Sequence, residues 1–138
     1  MKPNEISGTI VDAAYHLHTQ LGPGLLESVY EELLAYELTQ RGLNYERQKP
    51  VPDWYDDRIL EIGFRADLIV EDAVIVELKS VETLAPVHKK QLLTFLKLSG
   101  KQLGLLIDFG APLIKNGIVR IANGFVDEPP ALRGSASQ

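Results

Sequence analysis

The sequence contains no cysteine, one tryptophan and one methionine among its 138 residues. Without cysteine, the chain can form no disulfide, thiolate metal site or thiol nucleophile, which is compatible with a reducing compartment. The sequence also has no apolar run long enough to span a membrane, and its first residues are too polar for a signal peptide. These absences predict a cytoplasmic protein without a membrane segment.

The sequence also lacks an excess of positive charge, since 14 Lys and Arg against 19 Asp and Glu give a net charge of −5. This balance argues against bulk electrostatic attraction to nucleic acid and leaves room for a local basic groove. The third predicted helix and the residues just after it carry a run of lysines without acidic residues: Lys89, Lys90, Lys97 and Lys101. These lysines form either an ordinary solvated face or an edge that contacts the phosphates of a nucleic acid.

The residues that are present predict a single α/β domain. A hydrophobic fraction of 45% and a charged fraction of 24% are ordinary for a soluble globular protein of this length. We expect one domain over residues 1–126 and a flexible C-terminal tail over 127–138. Helical periodicity, β-branched runs and Gly or Pro breaks predict a mixed sheet flanked by helices. The predicted helices cover 5–21, 25–41 and 87–99, and the predicted strands cover 43–49, 51–55, 59–70, 73–79, 103–109 and 118–122.

Two neighbouring apolar strands of this pattern carry charged residues. Asp67 precedes one β-branched-rich run, and Glu77 and Lys79 end the next. Glu77 and Lys79 share a face because side chains alternate along a strand. A three-residue loop over 71–73 would pair Asp67 with Glu77 and bring all three side chains to that face. A two-residue loop would instead turn Glu77 to the opposite face.

These charges predict either an active site or a structural ion pair. Burying a lone charge costs on the order of several kcal/mol, so a charge in a core strand has a partner, a metal or a catalytic role. From the pattern alone, a salt bridge across the hairpin remains an alternative to a site.

The chain resembles the PD-(D/E)XK nuclease superfamily, and within it the bacterial family named for a GxxExxY motif. That motif is present as Gly24, Glu27 and Tyr30, and it accompanies the Asp67, Glu77 and Lys79 pattern. The resemblance covers roughly residues 8 to 124. It implies a nuclease-like αβββαβ core preceded by an extra N-terminal helix.

The resemblance also implies a metal site for Mg²⁺ or Mn²⁺. Asp67, Glu77 and the backbone carbonyl of Leu78 would be ligands, and Glu27 would bind directly or through water. Lys79 would orient or deprotonate the attacking water. Hard divalent cations prefer such oxygen ligands and retain several waters.

The helix after the lysine strand matches the resemblance at one position and departs from it at another. Gln91 matches a glutamine that some exonuclease branches carry on the helix after the lysine strand, where it could hold the water or a phosphate oxygen. The tyrosine that usually follows four residues later is Phe95 here, so that hydroxyl is absent. Tyr30, one turn after Glu27, is predicted to be a core residue or a residue that supports the site rather than a catalyst.

The resemblance implies a Mg²⁺-dependent nuclease that hydrolyses phosphodiester bonds of DNA or RNA. The alternatives are a non-catalytic binding or protein-interaction module that retains the fold, and a subunit active only in a larger complex. The expected partner is nucleic acid, a homodimer is possible, and the site residues are Asp67, Glu77, Lys79, Glu27 and Gln91.

Overall fold

The structure, a computed structural model, describes the backbone of residues 1–124 and their side chains except those of 51–54 and 60–63. The predicted tail over 127–138 lies outside the described residues. Within them, three α-helices and five strands form the predicted α/β fold. The elements are α1 (Pro3–Leu21), α2 (Glu27–Gln40), β1 (Tyr45–Tyr55), β2 (Arg58–Val70), β3 (Val74–Lys79), α3 (Pro86–Ser99), β4 (Leu103–Asp108), a short 3₁₀ turn (Ile114–Asn116) and β5 (Ile118–Ala122).

The strands form one mixed sheet in the order β1-β2-β3-β4-β5. Neighbouring strands are antiparallel except β3 and β4, which are parallel and connected by the crossover helix α3. A parallel pair needs such a crossover because both strands must start at the same edge of the sheet. The chain therefore has the predicted mixed sheet flanked by helices.

One detail of the strand prediction is wrong. The two short pieces expected at 43–49 and 51–55 form a single strand, β1, whose pairing with β2 shifts between Val51 and Asp53. Pro50 and Pro52 interrupt this segment in sequence, and proline cannot donate to a ladder. Because β1 is at the edge of the sheet, a missing donor on its free side does not end the strand.

The helices cover the two faces of the sheet. The larger core cluster joins α1 and α2 to side chains such as Leu68, Val76 and Leu78. The smaller cluster joins Leu92 and Leu96 of α3 to the other face. Along β3 the side chains alternate, so Glu77 and Lys79 point to the face that α3 covers.

The ends of β3 and β4 are tied together directly after Lys79, which is opposite Asp108 in the parallel register. The buried carboxylate of Asp108 accepts hydrogen bonds from the backbone N–H groups of Val81 and Gly110, both at 2.9 Å. At Gly110 the backbones approach so closely that a Cβ atom would lie 2.4 Å from the Val81 carbonyl oxygen. These contacts fix the direction in which the chain leaves the lysine.

Candidate active site

The hairpin between β2 and β3 has the predicted register. Leu68 pairs with Val76 and Val70 pairs with Val74, which leaves residues 71–73 as a three-residue loop. The same register places Asp67 opposite Glu77. The loop turns sharply because Glu71 and Asp72 both adopt a left-handed backbone conformation, with φ of 54° and 53°.

The two carboxylates bond to the backbone of the opposite strand. The N–H of Asp67 donates to Oε2 of Glu77 at 3.1 Å, and the N–H of Leu78 donates to Oδ2 of Asp67 at 2.8 Å. These bonds begin where the regular pairing of β2 and β3 ends at Leu68 and Val76. Each strand therefore fixes the carboxylate of the other, and the two groups are held side by side.

Lys79 lies close to both carboxylates without a direct bond to either. Its charge acts to lower the pKa of Asp67 and of Glu77, which places it within electrostatic range. Among the described residues, no ion pair joins its ammonium to these two groups or to another carboxylate. The cross-hairpin salt bridge considered from the sequence is therefore not formed in this part of the chain.

Burial makes the pair of carboxylates difficult to ionise. Burial, and then the charge of Asp67, raise the pKa of Glu77 to about 8, although the Asp67 N–H and Lys79 act in the opposite direction. Burial also raises the pKa of Asp67, opposed by the hydrogen bonds from Leu78 and Gln48. Two carboxylates that share a site in this way need a cation or a proton between them.

Glu27 is the first residue of α2 and is exposed. Its charge acts to raise the pKa of Glu77, so it lies within electrostatic range of the pair. It makes no hydrogen bond or ion pair with the residues that the structure describes. Its carboxylate is therefore not engaged by another group in the described part of the chain.

Gln91 lies on α3 beside the carboxylate and the lysine of β3. A cavity of about 20 Å³, large enough for one water molecule, is lined by Glu77, Lys79, His88, Gln91 and Phe95 among others. Gln91 therefore lies next to Glu77 and Lys79, two of the residues that the sequence analysis assigned to the same site.

Phe95, four residues after Gln91, has a packing role at the position where the resemblance to some exonuclease branches implied a tyrosine. Its ring stacks on Phe64 of β2, with the ring centroids 3.5 Å apart and an interplanar angle of 15°. This contact holds α3 against the sheet. It explains why an apolar ring suits this position, where a hydroxyl group is not needed for packing.

Tyr30 is buried in the core, as predicted, and it shapes the loop before α2. Its ring stacks on Phe109 with a centroid distance of 4.4 Å. Its hydroxyl donates to the carbonyl of Gly22 at 2.5 Å and accepts from the N–H of Leu25 at 3.3 Å. The tyrosine of the GxxExxY motif thereby fixes the segment that leads to Glu27.

Sequence reasoning missed a polar network behind Asp67. Gln48 of β1 donates to Asp67 and to the buried Glu31 of α2, and Arg47 also donates to Glu31. Glu31 follows Glu27 by four residues and therefore lies on the same helical face, which was a usable signal. Gln48 gave no signal, because its contact with Asp67 depends on strand pairing.

The donor set fits a hard divalent cation that has few protein ligands. Among the described residues, no three His, Cys, Asp or Glu side chains are grouped so that they could hold a metal ion. The expected set offers two adjacent carboxylates, those of Asp67 and Glu77, and Glu27 lies within electrostatic range of Glu77. Mg²⁺ is commonly bound through one or two carboxylates while water and substrate phosphates complete its shell.

Comparison with known families decides the assignment, because the profile of the PD-(D/E)XK nuclease superfamily matches residues 4–121. The chain belongs to the PD-(D/E)XK nuclease superfamily. The match runs from α1 to β5 and includes all the expected site residues. No match was found among curated proteins or among solved structures. Membership in this nuclease superfamily indicates nuclease activity and binding of nucleic acid, and the narrower GxxExxY assignment remains a prediction.

The part of the superfamily domain that the structure describes contains no helix with the length and apolar character required to cross a bilayer.

Proposed function

We propose that this protein is a Mg²⁺- or Mn²⁺-dependent nuclease that hydrolyses phosphodiester bonds of DNA or RNA. The observation that carries the proposal is the pair Asp67 and Glu77, buried side by side and held by backbone N–H groups, with Lys79 next to them and not ion-paired. A purely structural role would be served by a direct salt bridge, which these three residues do not form.

Asp67, Glu77 and the Leu78 carbonyl are the proposed metal ligands, with Glu27 as a direct or water-mediated fourth. When bound, the ion supplies Lewis-acid stabilisation of the charge that develops on the phosphoryl oxygens. The protein contributes the fixed orientation of the carboxylates, which are held by the N–H groups of Asp67 and Leu78. Because they do not have to reorganise, they stabilise charge more effectively than mobile groups would.

Lys79 and Gln91 are proposed to act on the attacking water and the scissile phosphate. Lys79 orients or deprotonates the water and offsets negative charge on the phosphate. Gln91 holds the water or a phosphate oxygen through its amide. Their shared position around the small cavity at the end of β3 supports these roles.

The exposed lysines of α3 are proposed to contact the phosphate backbone of the substrate. Lys89, Lys90 and Lys97 are exposed on a helix without acidic residues. Lys101 contributes less, because its ammonium binds the carboxylate of Asp72 at 3.0 Å and the backbone carbonyl of the same residue at 2.9 Å. The proposed track therefore follows α3 and excludes Lys101.

The proposal is tested by measuring Mn²⁺ binding and nucleic-acid cleavage with four proteins. They are the wild type, Asp67→Asn, Lys79→Met and the control Asp12→Asn, whose substitution is on the exposed side of α1. We expect calorimetric Mn²⁺ binding by the wild type, Lys79→Met and the control, and its loss in Asp67→Asn. Cleavage of single- and double-stranded DNA and RNA should be lost in both site variants, by about 100-fold or more, since they remove metal binding or proton transfer. Equal Mn²⁺ binding by the wild type and Asp67→Asn would contradict the ligand assignment.

A non-catalytic binding module, or a subunit active only in a larger complex, is the second candidate. It is favoured by the lack, among the described residues, of a group of three side chains able to hold a metal ion. It predicts nucleic-acid binding by the wild type without metal-dependent cleavage.

Three narrower assignments accompany the proposal. The spacing of Gly24, Glu27 and Tyr30 supports membership of the GxxExxY branch, and the composition supports a cytoplasmic location. A homodimer is proposed as the oligomeric state. It is tested by measuring the mass in solution over a range of protein concentrations.

A further inference from the structure

Gln48 joins the expected active site to a buried carboxylate on α2. It is opposite Asp67 across β1 and β2, because the flanking residues Arg47 and Lys49 pair with Leu68 and Ala66. Its Nε2 donates to Oδ1 of Asp67 at 3.1 Å and to Oε1 of Glu31 at 2.8 Å. Since both partners are carboxylates, which only accept, the amide nitrogen must be the atom that faces them.

The second carboxylate is itself held in place. Glu31 is only 7% exposed, and its other oxygen accepts from Nε of Arg47 at 3.0 Å. The amide of Gln48 therefore bonds a carboxylate fixed by α2 and β1 on one side and Asp67 on the other. This arrangement gives Asp67 a rigid support outside its own hairpin.

The backbone at Gln48 is in a conformation that glycine would adopt more easily. Its φ is 52°, in the left-handed region, and its carbonyl oxygen accepts from Nη1 of Arg65 at 2.5 Å. A non-glycine residue in this region persists where the surroundings over-determine it, and such residues cluster at functional sites. The strained backbone and both carboxylate contacts therefore fall on the same residue, Gln48.

We propose that Gln48 is a positioning residue that sets the orientation of the Asp67 carboxylate, with Glu31 as its anchor. The Gln48 amide fixes Oδ1 while the Leu78 N–H fixes Oδ2. The remaining lone pairs of Asp67 are thereby aimed in one direction. The consequence for metal binding rests on the proposed function, whereas the orientation of Asp67 is a property of the protein without metal.

Two substitutions separate the amide from the backbone strain. Gln48→Met keeps the length of the side chain and removes its donors, while Gln48→Gly removes the side chain and suits a positive φ. The matched control is Asp56→Gly, which relieves the same kind of conformation, φ 54°, at the exposed turn between β1 and β2. Both Gln48 variants lose the amide, but only the glycine variant also loses the strain.

The first measurement is amide hydrogen exchange at Leu78 in the metal-free protein. Without the Gln48 amide, Asp67 should no longer be held against the Leu78 N–H, and exchange there should accelerate about tenfold or more in both variants. Asp56→Gly should exchange at the wild-type rate. Unchanged exchange at Leu78 in both Gln48 variants would overturn the proposal.

The second measurement is Mn²⁺ affinity by calorimetry, together with stability in urea. We expect binding to weaken about 10- to 100-fold in both Gln48 variants, which is typical when a group that orients a metal ligand is lost. Gln48→Gly should be the more stable of the two, so equal losses of affinity would show that the amide matters and not the stability. If the loss of Mn²⁺ affinity instead followed the loss of stability, or if affinity did not change, the role of Gln48 in metal binding would be overturned. If the wild type binds no Mn²⁺, the proposed function fails, and exchange at Leu78 still decides whether Gln48 orients Asp67.

Discussion

The side-by-side burial of Asp67 and Glu77 governs the chemistry of this site. Each carboxylate accepts a backbone N–H from the other strand, so neither can move away from its neighbour without losing a hydrogen bond. Without a cation, the pair reduces its repulsion by keeping a proton on Glu77. Metal binding should therefore release a proton and strengthen as the pH rises toward 8.

The stability of the metal-free protein should fall as the pH rises. Glu77 has an ordinary pKa of 4.5 when unfolded and about 8 when folded, so the folded state binds the proton more tightly. Its contribution is fully present below pH 4.5 and is lost as the pH rises through 8. The full difference amounts to on the order of 5 kcal/mol. Urea unfolding in EDTA at pH 5, 7 and 9 should show this fall in the wild type.

The variant Glu77→Gln should largely remove that dependence, because its amide stays neutral at every pH tested. It should be more stable than the wild type at pH 9, and it should not bind Mn²⁺. Parallel pH profiles for the two proteins would show that Glu77 ionises normally.

At the residue scale, the sequence revealed charged residues in strands that are otherwise apolar. It revealed little about which side chains surround them. Asp67, Glu77 and Lys79 stand out because they interrupt β-branched runs. Gln48 does not stand out, since a glutamine in a polar segment is ordinary. Its importance depends on a left-handed φ and on pairing with a strand that begins ten residues later.

At the scale of elements, the position of Lys79 depends on how β3 and β4 end. Asp108 and Gly110 tie the end of β4 to the segment after β3. Lys79 is the last residue of β3, and its carbonyl accepts from the N–H of Phe109 at 2.9 Å. The lysine is therefore fixed by backbone contacts on its C-terminal side as well as by its strand.

Two glycines of this region should respond differently to alanine. In Gly110→Ala the new Cβ would lie 2.4 Å from the Val81 carbonyl oxygen, so the backbone must shift. We expect a loss of about 3 kcal/mol in the free energy of unfolding, at the upper end of overpacking effects, and reduced cleavage as Lys79 moves. Urea unfolding and a cleavage assay measure both effects.

The matched substitution is Gly104→Ala, near the start of β4. The atoms nearest to its Cβ would belong to the side chain of Leu92, at 3.1 Å, which can adjust by a small rotation. We expect a loss of about 1 kcal/mol or less and normal cleavage. Similar losses in both variants would mean that the close backbone approach at Gly110 has no special role.

The order and type of the elements were predictable because their periodicities differ. Helix α3 and strand β5 lie within a residue of the predicted bounds, since Pro86 and Gly100 frame the helix and β5 is a short apolar run. The prediction failed at β1, where prolines were interpreted as breaks. A proline ends a strand only if its missing N–H is needed, and sequence alone does not show which strand is at the edge.

At the scale of the whole molecule, the charge is unevenly distributed. The net charge is −5, and the carboxylates at the site add to the repulsion of a phosphate backbone. The exposed lysines of α3, the helix that follows β3, supply positive charge that offsets part of this repulsion. Binding of nucleic acid should therefore depend on few contacts and respond moderately to salt.

The combined variant Lys89→Gln, Lys90→Gln and Lys97→Gln should reduce that response. If all three lysines contact phosphates, the slope of log affinity against log salt should fall by about 2 to 3. The measurement is fluorescence anisotropy with labelled DNA and RNA, in the Asp67→Asn background to prevent cleavage. Lys115→Gln, at an exposed site on the 3₁₀ turn, is the control. A slope that is unchanged in the combined variant would place the substrate elsewhere.

The prolines of β1 have a consequence beyond the site. An edge strand presents free backbone donors on which a second chain can form β-structure, and this is a common route to aggregation. Pro50 and Pro52 have no N–H, and Lys49 adds a charge between Gln48 and the first of them. The strand that places Gln48 beside the proposed active site is thus also protected against the self-association that an exposed strand invites.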